Sequence, residues 1–137
     1  MALIKIDPKK PTQISQNFKS GEFTCNCGQC KESFIDSDLL ARLESVRFQY
    51  GHGLIITSGY RCSMYQGQLR KRGYETAVGT SQHELGMAVD IRPAAQGDFA
   101  ALLPILERNF QAIGVGKTFY HVDMRSDKQR RWTYAKR

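Results

Sequence analysis

The sequence predicts an α+β fold, with a small, mostly antiparallel sheet flanked by helices. Three observations lead there. Short β-branched and aromatic runs are separated by helical stretches of unequal length, the glycine turns between them are irregular, and 137 residues leave room for one core rather than two. Strands and helices in this uneven order argue against a doubly wound parallel sheet. No internal repeat, low-complexity tract or Gly/Ser linker divides the chain. A single domain is therefore expected over residues 1–137, with 1–13 as an arm or edge segment and 126–137 as a basic tail.

Each element has its own signal. The stretch from Asn17 to Lys31 is polar, is punctuated by Gly21 and Gly28, and holds three of the four cysteines. Asp36 reads as a helix N-cap before Leu39, Leu40, Leu43 and Val46 at helical spacing, and the pattern stops at Gly51 and Gly53. Leu54 to Thr57 is a β-branched run before Ser58-Gly59, and reads as a buried strand. A polar, basic helix is expected from Ser63 to Arg72, ending at Gly73, followed by a loop from Glu75 to Glu84. Ala88 to Ile91 reads as a strand closed by Pro93. Apolar residues at 99, 102, 103, 106 and 110 make a helical face despite Pro104, and Val115 with Phe119 to Met124 supplies one or two more strands.

Composition bounds the function. A 41% hydrophobic content excludes a wholly disordered chain. No apolar run approaches the roughly 20 residues of a membrane span. Residues 1–10 contain no apolar h-region, so no secretory signal is expected. Lys and Arg number 20 against 13 Asp and Glu, for a net charge of +7, which favours an acidic partner: nucleic acid, an anionic envelope polymer or a membrane surface.

The strongest chemical signal is Ser81-Gln82-His83-Glu84-Leu85-Gly86-Met87-Ala88-Val89-Asp90, followed by Tyr120-His121-Val122-Asp123-Met124-Arg125. Neutral imidazoles and a carboxylate are good Zn²⁺ ligands, and three protein ligands plus water make a catalytic site. His83 and Asp90 converge if the chain turns sharply at Gly86, and His121 on a neighbouring strand completes the set. The same residues also suit a surface loop histidine and a hydrogen-bonded strand histidine, because His-x6-Asp is not a general zinc spacing.

Ser58-Gly59-Tyr60-Arg61, then Ser81-Gln82-His83 with Gly86, Ala88 and Asp90, then His121-Val122-Asp123, resemble the motifs of the M15 zinc peptidases over about residues 14 to 125. These are D-alanyl-D-alanine carboxypeptidases and L-alanyl-D-glutamate endopeptidases of phage endolysins, which share a fold with the hedgehog signalling domain. The segment from Phe23 through the Asp36 helix is similar to the phage-type branch. The resemblance implies His83, Asp90 and His121 as zinc ligands, and Arg61 as the residue that binds the substrate carbonyl or carboxylate and stabilises the oxyanion. It implies Gln66 as a substrate contact, and Ser81 as a substrate contact or a support for the ligand loop. It also implies hydrolysis of an amide bond in peptidoglycan stem peptides. With no visible signal peptide, that suggests a phage or prophage lysin made in the cytoplasm and acting at the cell wall.

The match fails at the general base that such a hydrolase needs. Family members carry an acid or histidine two or three residues before the second histidine ligand, where this chain has Phe119 and Thr118. Asp123 is the nearest substitute, since period two puts it on the face of His121, where it acts either as the base or by orienting His121 or Arg125. Without a base the chain could hold zinc and bind wall peptide without cutting it. Cys25, Cys27 and Cys30, with the distant Cys62, suit a structural zinc site, disulfides or free thiols, reduced thiols being the default. Arg130, Arg131, Lys136 and Arg137, interleaved with Trp132 and Tyr134, suit either nucleic-acid contacts or a charged edge strand. No nucleic-acid-binding signature supports the first, so no specific nucleic-acid partner is expected.

Overall fold

The structure, a computed structural model, describes residues 2–73 and 81–134. Most of the expected loop from Glu75, and Lys136 and Arg137 of the tail, lie outside the described residues. An antiparallel pair joins β1 (Leu3–Ile6) to β2 (Ser33–Asp36). The main sheet contains β3 (Leu54–Ser58), β4 (Ala88–Pro93), β5 (Ala112–Val115), β6 (Tyr120–Asp123) and β7 (Arg130–Thr133). Its strand order is β3-β4-β6-β5-β7, antiparallel throughout except for the parallel β5–β7 pair at one edge. This is the α+β class that the sequence predicts.

Local sequence explains where the helices lie. Helix α1 (Ser37–Tyr50) starts directly after β2, and the Asp36 carboxylate accepts the Leu39 N–H at 3.1 Å as its cap. It ends at Gly51, which adopts φ 81° and donates its N–H to the Arg47 carbonyl at 3.0 Å. Helix α2 (Ser63–Lys71) follows β3, and α3 (Phe99–Asn109) runs through Pro104. Leu39, Leu43 and Val46 of α1 and Leu102 and Leu106 of α3 are fully buried. They join Val89, Ile91, Ile113, Tyr120 and Val122 in one apolar cluster. Each such side chain contributes about 1.5–3 kcal/mol by leaving water.

Period two in the strands divides the sheet into two faces. On β4, Val89 and Ile91 enter the core, so Asp90 projects from the opposite face; on β6, Tyr120 and Val122 do the same and expose His121 to that face. Register then builds a row across all five strands: Ser58 opposite Asp90, Asp90 opposite His121, His121 opposite Gly114 and Gly114 opposite Trp132. A register shift between Ile56 and Ser58 brings Ser58 into that row. A methyl group at Gly114 would stand 2.6 Å from the Trp132 ring, so the bare glycine is what lets the indole lie over β5. β1 lies in the segment that reads as an arm or edge segment, and β2, just after the polar stretch, has no strand signal of its own.

Candidate metal centre

His83 arrives from a turn between α2 and β4. The Ser81 hydroxyl accepts the His83 N–H at 3.2 Å, and the Ser81 carbonyl accepts the Glu84 N–H at 3.1 Å, so Ser81 supports the turn. Gly86 closes it at φ 73°, where an added Cβ would lie 2.8 Å from the Phe34 carbonyl oxygen. This is the sharp turn that the spacing requires between His83 and Asp90. The three side chains meet: His83 Nε2 lies 3.3 Å from Asp90 Oδ1, His121 Nδ1 lies 3.2 Å from the same oxygen, and the two nitrogens are 3.2 Å apart. All three residues are buried.

The outer partners decide which ring nitrogens are bare. His83 Nδ1 is 2.8 Å from the Gly59 carbonyl, which can only accept, so the hydrogen sits on Nδ1 and Nε2 presents its lone pair to the triangle. Likewise His121 Nε2 donates to Asp123 Oδ2 at 2.8 Å, leaving Nδ1 toward Asp90. Two lone pairs and a carboxylate oxygen thus converge, with one hydrogen at most to share when His121 is charged. Burial holds His83 below its ordinary pKa despite Asp90. Burial also pushes His121 down, but its hydrogen bonds to Asp123 and Asp90 outweigh this and leave it raised. For Asp90, burial is overcome by His83, His121 and Arg61, and the carboxyl lies well below its usual range.

This donor set fits a zinc ion. Tetrahedral coordination at about 2.0–2.1 Å places donors roughly 3.3 Å apart, which is the edge length of the His83–Asp90–His121 triangle. The other predicted residues stand around it. Arg61 is buried and donates from Nη2 to Asp90 Oδ2 at 2.5 Å, from Nε to Ser58 at 2.8 Å and from Nη1 to Gln66 Oε1 at 3.4 Å. It therefore grips the second oxygen of Asp90, leaving Oδ1 for the triangle, and Gln66, itself buried, supports the arginine. Asp123 stands behind His121: Oδ2 takes the His121 N–H and Arg125 Nη2 at 2.8 Å, and Oδ1 takes the Arg125 N–H and Nε at 3.0 Å. With both oxygens so used, Asp123 orients His121 and holds Arg125, the orienting role that the sequence offers beside that of a base.

Four contributors had no sequence signal as site residues. The Gly59 carbonyl is a backbone group. Trp132, whose ring centroid lies 5.3 Å from that of His121, depends on the pairing of β7 with β5. Arg72 and Arg92 line an open cleft of about 370 Å³ beside Arg61 and Asp90, together with Asn26, Tyr65 and Phe119. In the tail, Arg130 pairs with Asp127 at 2.8 Å and Arg131 with Glu107 at 3.8 Å, on the edge strand. The four cysteine sulfurs also cluster, within 4.8 Å of one another. Burial pushes the Cys25 thiol up to about 11. Burial acts the same way on Cys27, but the Gln29 N–H and the neighbouring thiols bring it down to about 7.

A buried pair of imidazole lone pairs with a carboxylate, presented on a sheet beside an open cleft, is the ligand set of a metal-dependent hydrolase. The chain belongs to the Peptidase M15 family, whose model matches residues 16–123, and it is accordingly a metallopeptidase. No curated protein matched the chain. Among solved structures it is similar to one described as VanYB in complex with D-Alanine-D-Alanine, at 23% identity and a TM-score of 0.42, over 77% of this chain and 68% of that one.

Proposed function

We propose that this metallopeptidase holds one zinc ion at His83, Asp90 and His121 and hydrolyses an amide bond in peptidoglycan stem peptides. The observation that carries the reading is the triangle of converging, buried imidazole nitrogens and carboxylate oxygen, which suits a cation. When bound, zinc supplies Lewis acidity and an open coordination position. The protein supplies the rest. The Gly59 carbonyl and Asp123 fix the tautomers of His83 and His121, and Arg61 pins Asp90. Arg72 and Arg92 give the cleft a positive lining suited to the carboxylates of a stem peptide. We place its action at the bacterial cell wall, as an endolysin or a wall-remodelling enzyme, and the charge of +7 suits anionic wall polymers.

One observation favours a second reading. Asp123 is turned away, and Thr118 and Phe119 stand where a base is expected, which fits a module that holds zinc and binds wall peptide without cutting it. The test is release of new amino groups from purified peptidoglycan by zinc-loaded wild type and His83→Ala. Release by wild type with a loss of at least about 100-fold in the variant is expected. Equal release from both would overturn the site, and stoichiometric zinc with no release would establish the non-cutting module.

A further inference from the structure

We infer that Cys25, Cys27, Cys30 and Cys62 hold a second, structural zinc ion, which clamps the N-terminal segment onto the turn that organises the first site. Their sulfurs lie 3.4 Å apart for Cys27–Cys30, 3.8 Å for Cys25–Cys62 and 3.9 Å for Cys27–Cys62. Tetrahedral Zn–S bonds of about 2.3 Å require sulfurs roughly 3.8 Å apart. A pair of disulfides would need only pairwise closeness, whereas here all four sulfurs gather around one point. Backbone N–H groups aim at three of them, Gln29 at Cys27, Cys62 at Cys25 and Tyr65 at Cys62, each at 3.4 Å, as thiolates require. Gly28 supplies the left-handed φ of 75° that a tight knuckle between Cys27 and Cys30 uses. Cys62 is also the N-cap of α2, so its sulfur is held in place by the first turn of that helix.

The position gives the ion its purpose. Cys62 directly follows Arg61, and the Tyr60 N–H donates to the Phe23 carbonyl at 3.0 Å, two residues before Cys25. The Gly59–Cys62 turn thereby carries the carbonyl that orients His83 and the guanidinium that holds Asp90, and the four-sulfur site ties that turn to residues 25–30.

The test is cobalt substitution and metal analysis of the full chain purified under reducing conditions. Cobalt-loaded wild type should show thiolate-to-cobalt charge-transfer absorption, and the same band should persist in His83→Ala/His121→Ala, which removes the first site. Zinc analysis should give two equivalents in wild type and one in that variant, whether or not the wild type cleaves peptidoglycan. Cys27→Ser/Cys30→Ser should lose the charge-transfer band. Thiol alkylation of the native wild type decides independently of how that variant folds: protection that a chelator abolishes is expected. Absence of the band, four thiols that alkylate freely without chelator, or a mass four hydrogens low from disulfides would each overturn the inference.

Discussion

Arg61 reaches Asp90, Ser58 and Gln66 with different nitrogens of one planar group, and it does so out of water. A lysine carries its three donors on one nitrogen and does not match acceptors set around three separate nitrogens of a plane, so the position suits arginine. Arg61→Met would leave the Asp90 carboxylate buried without its cation, a defect that costs about 3–5 kcal/mol. Urea unfolding of the zinc-free protein should read that loss, and an unchanged midpoint would show that the ion pair does not support the fold. At Asp123 the expected effect falls on metal rather than on stability alone. Asp123→Asn weakens the acceptor that fixes the His121 tautomer and holds Arg125, so zinc affinity should drop about 10–100-fold in chelator competition. Asp123→Glu should recover part of it. Unaltered affinity in Asp123→Asn would mean that the β6 backbone alone aims the imidazole.

The segment before β2 is fastened to α1 by one carboxylate. Glu44 accepts the Ser15 hydroxyl at 2.6 Å, the Asn17 N–H at 2.7 Å and the Asn17 side-chain amide at 2.6 Å. Burial pushes the Glu44 carboxyl up, but the hydrogen bonds from Asn17 and Ser15 outweigh it and hold the group below its ordinary value. A depressed folded-state pKa stabilises the protein above the unfolded value and loses that stabilisation as pH falls through the folded one. Glu44→Gln should therefore cost about 1 kcal/mol near neutrality, and the gap to wild type should close as pH falls below about 4. Urea midpoints across that range check it, and a gap that stays constant would assign the loss to shape rather than charge. Elements with local signals were legible in the sequence: α1 between Asp36 and Gly51, and β4 before Pro93. The charged edge strand read from Arg130, Arg131 and Trp132 is β7, whereas β1 and β2 have only four residues each and their pairing depends on distant partners such as Leu3 with Asp36. The motifs pointed to His83, Asp90 and His121, but the Gly59 carbonyl and the indole of Trp132 reach them only through the folded sheet.

Across the whole molecule, basic side chains stand on both sides of the triangle, and on the Trp132 side Asp123, Asp127 and Glu107 pair with three of them. Arg72 and Arg92 line the cleft beside Asp90, and Arg125, Lys128, Arg130 and Arg131 surround Trp132 at the other end of the sheet row. The Arg125 guanidinium carbon lies 5.6 Å from the Trp132 ring centroid, so the aromatic wall and the charge form one surface. An anionic peptide approaching the triangle would be drawn in chiefly from the Arg72 and Arg92 side. Salt should therefore act on capture of the substrate more than on turnover. Raising ionic strength from about 0.01 M to 0.15 M shortens the screening length from roughly 30 Å to 8 Å and should raise KM while leaving kcat nearly unchanged. Arg92→Ala, with its zinc content verified, should raise KM about tenfold for a peptide bearing a free carboxylate and flatten the salt dependence. The same substitution should matter little for the amidated peptide. A KM insensitive to salt, or an equal effect of Arg92→Ala on both peptides, would show that this charge serves solubility and that the cleft reads its substrate by shape.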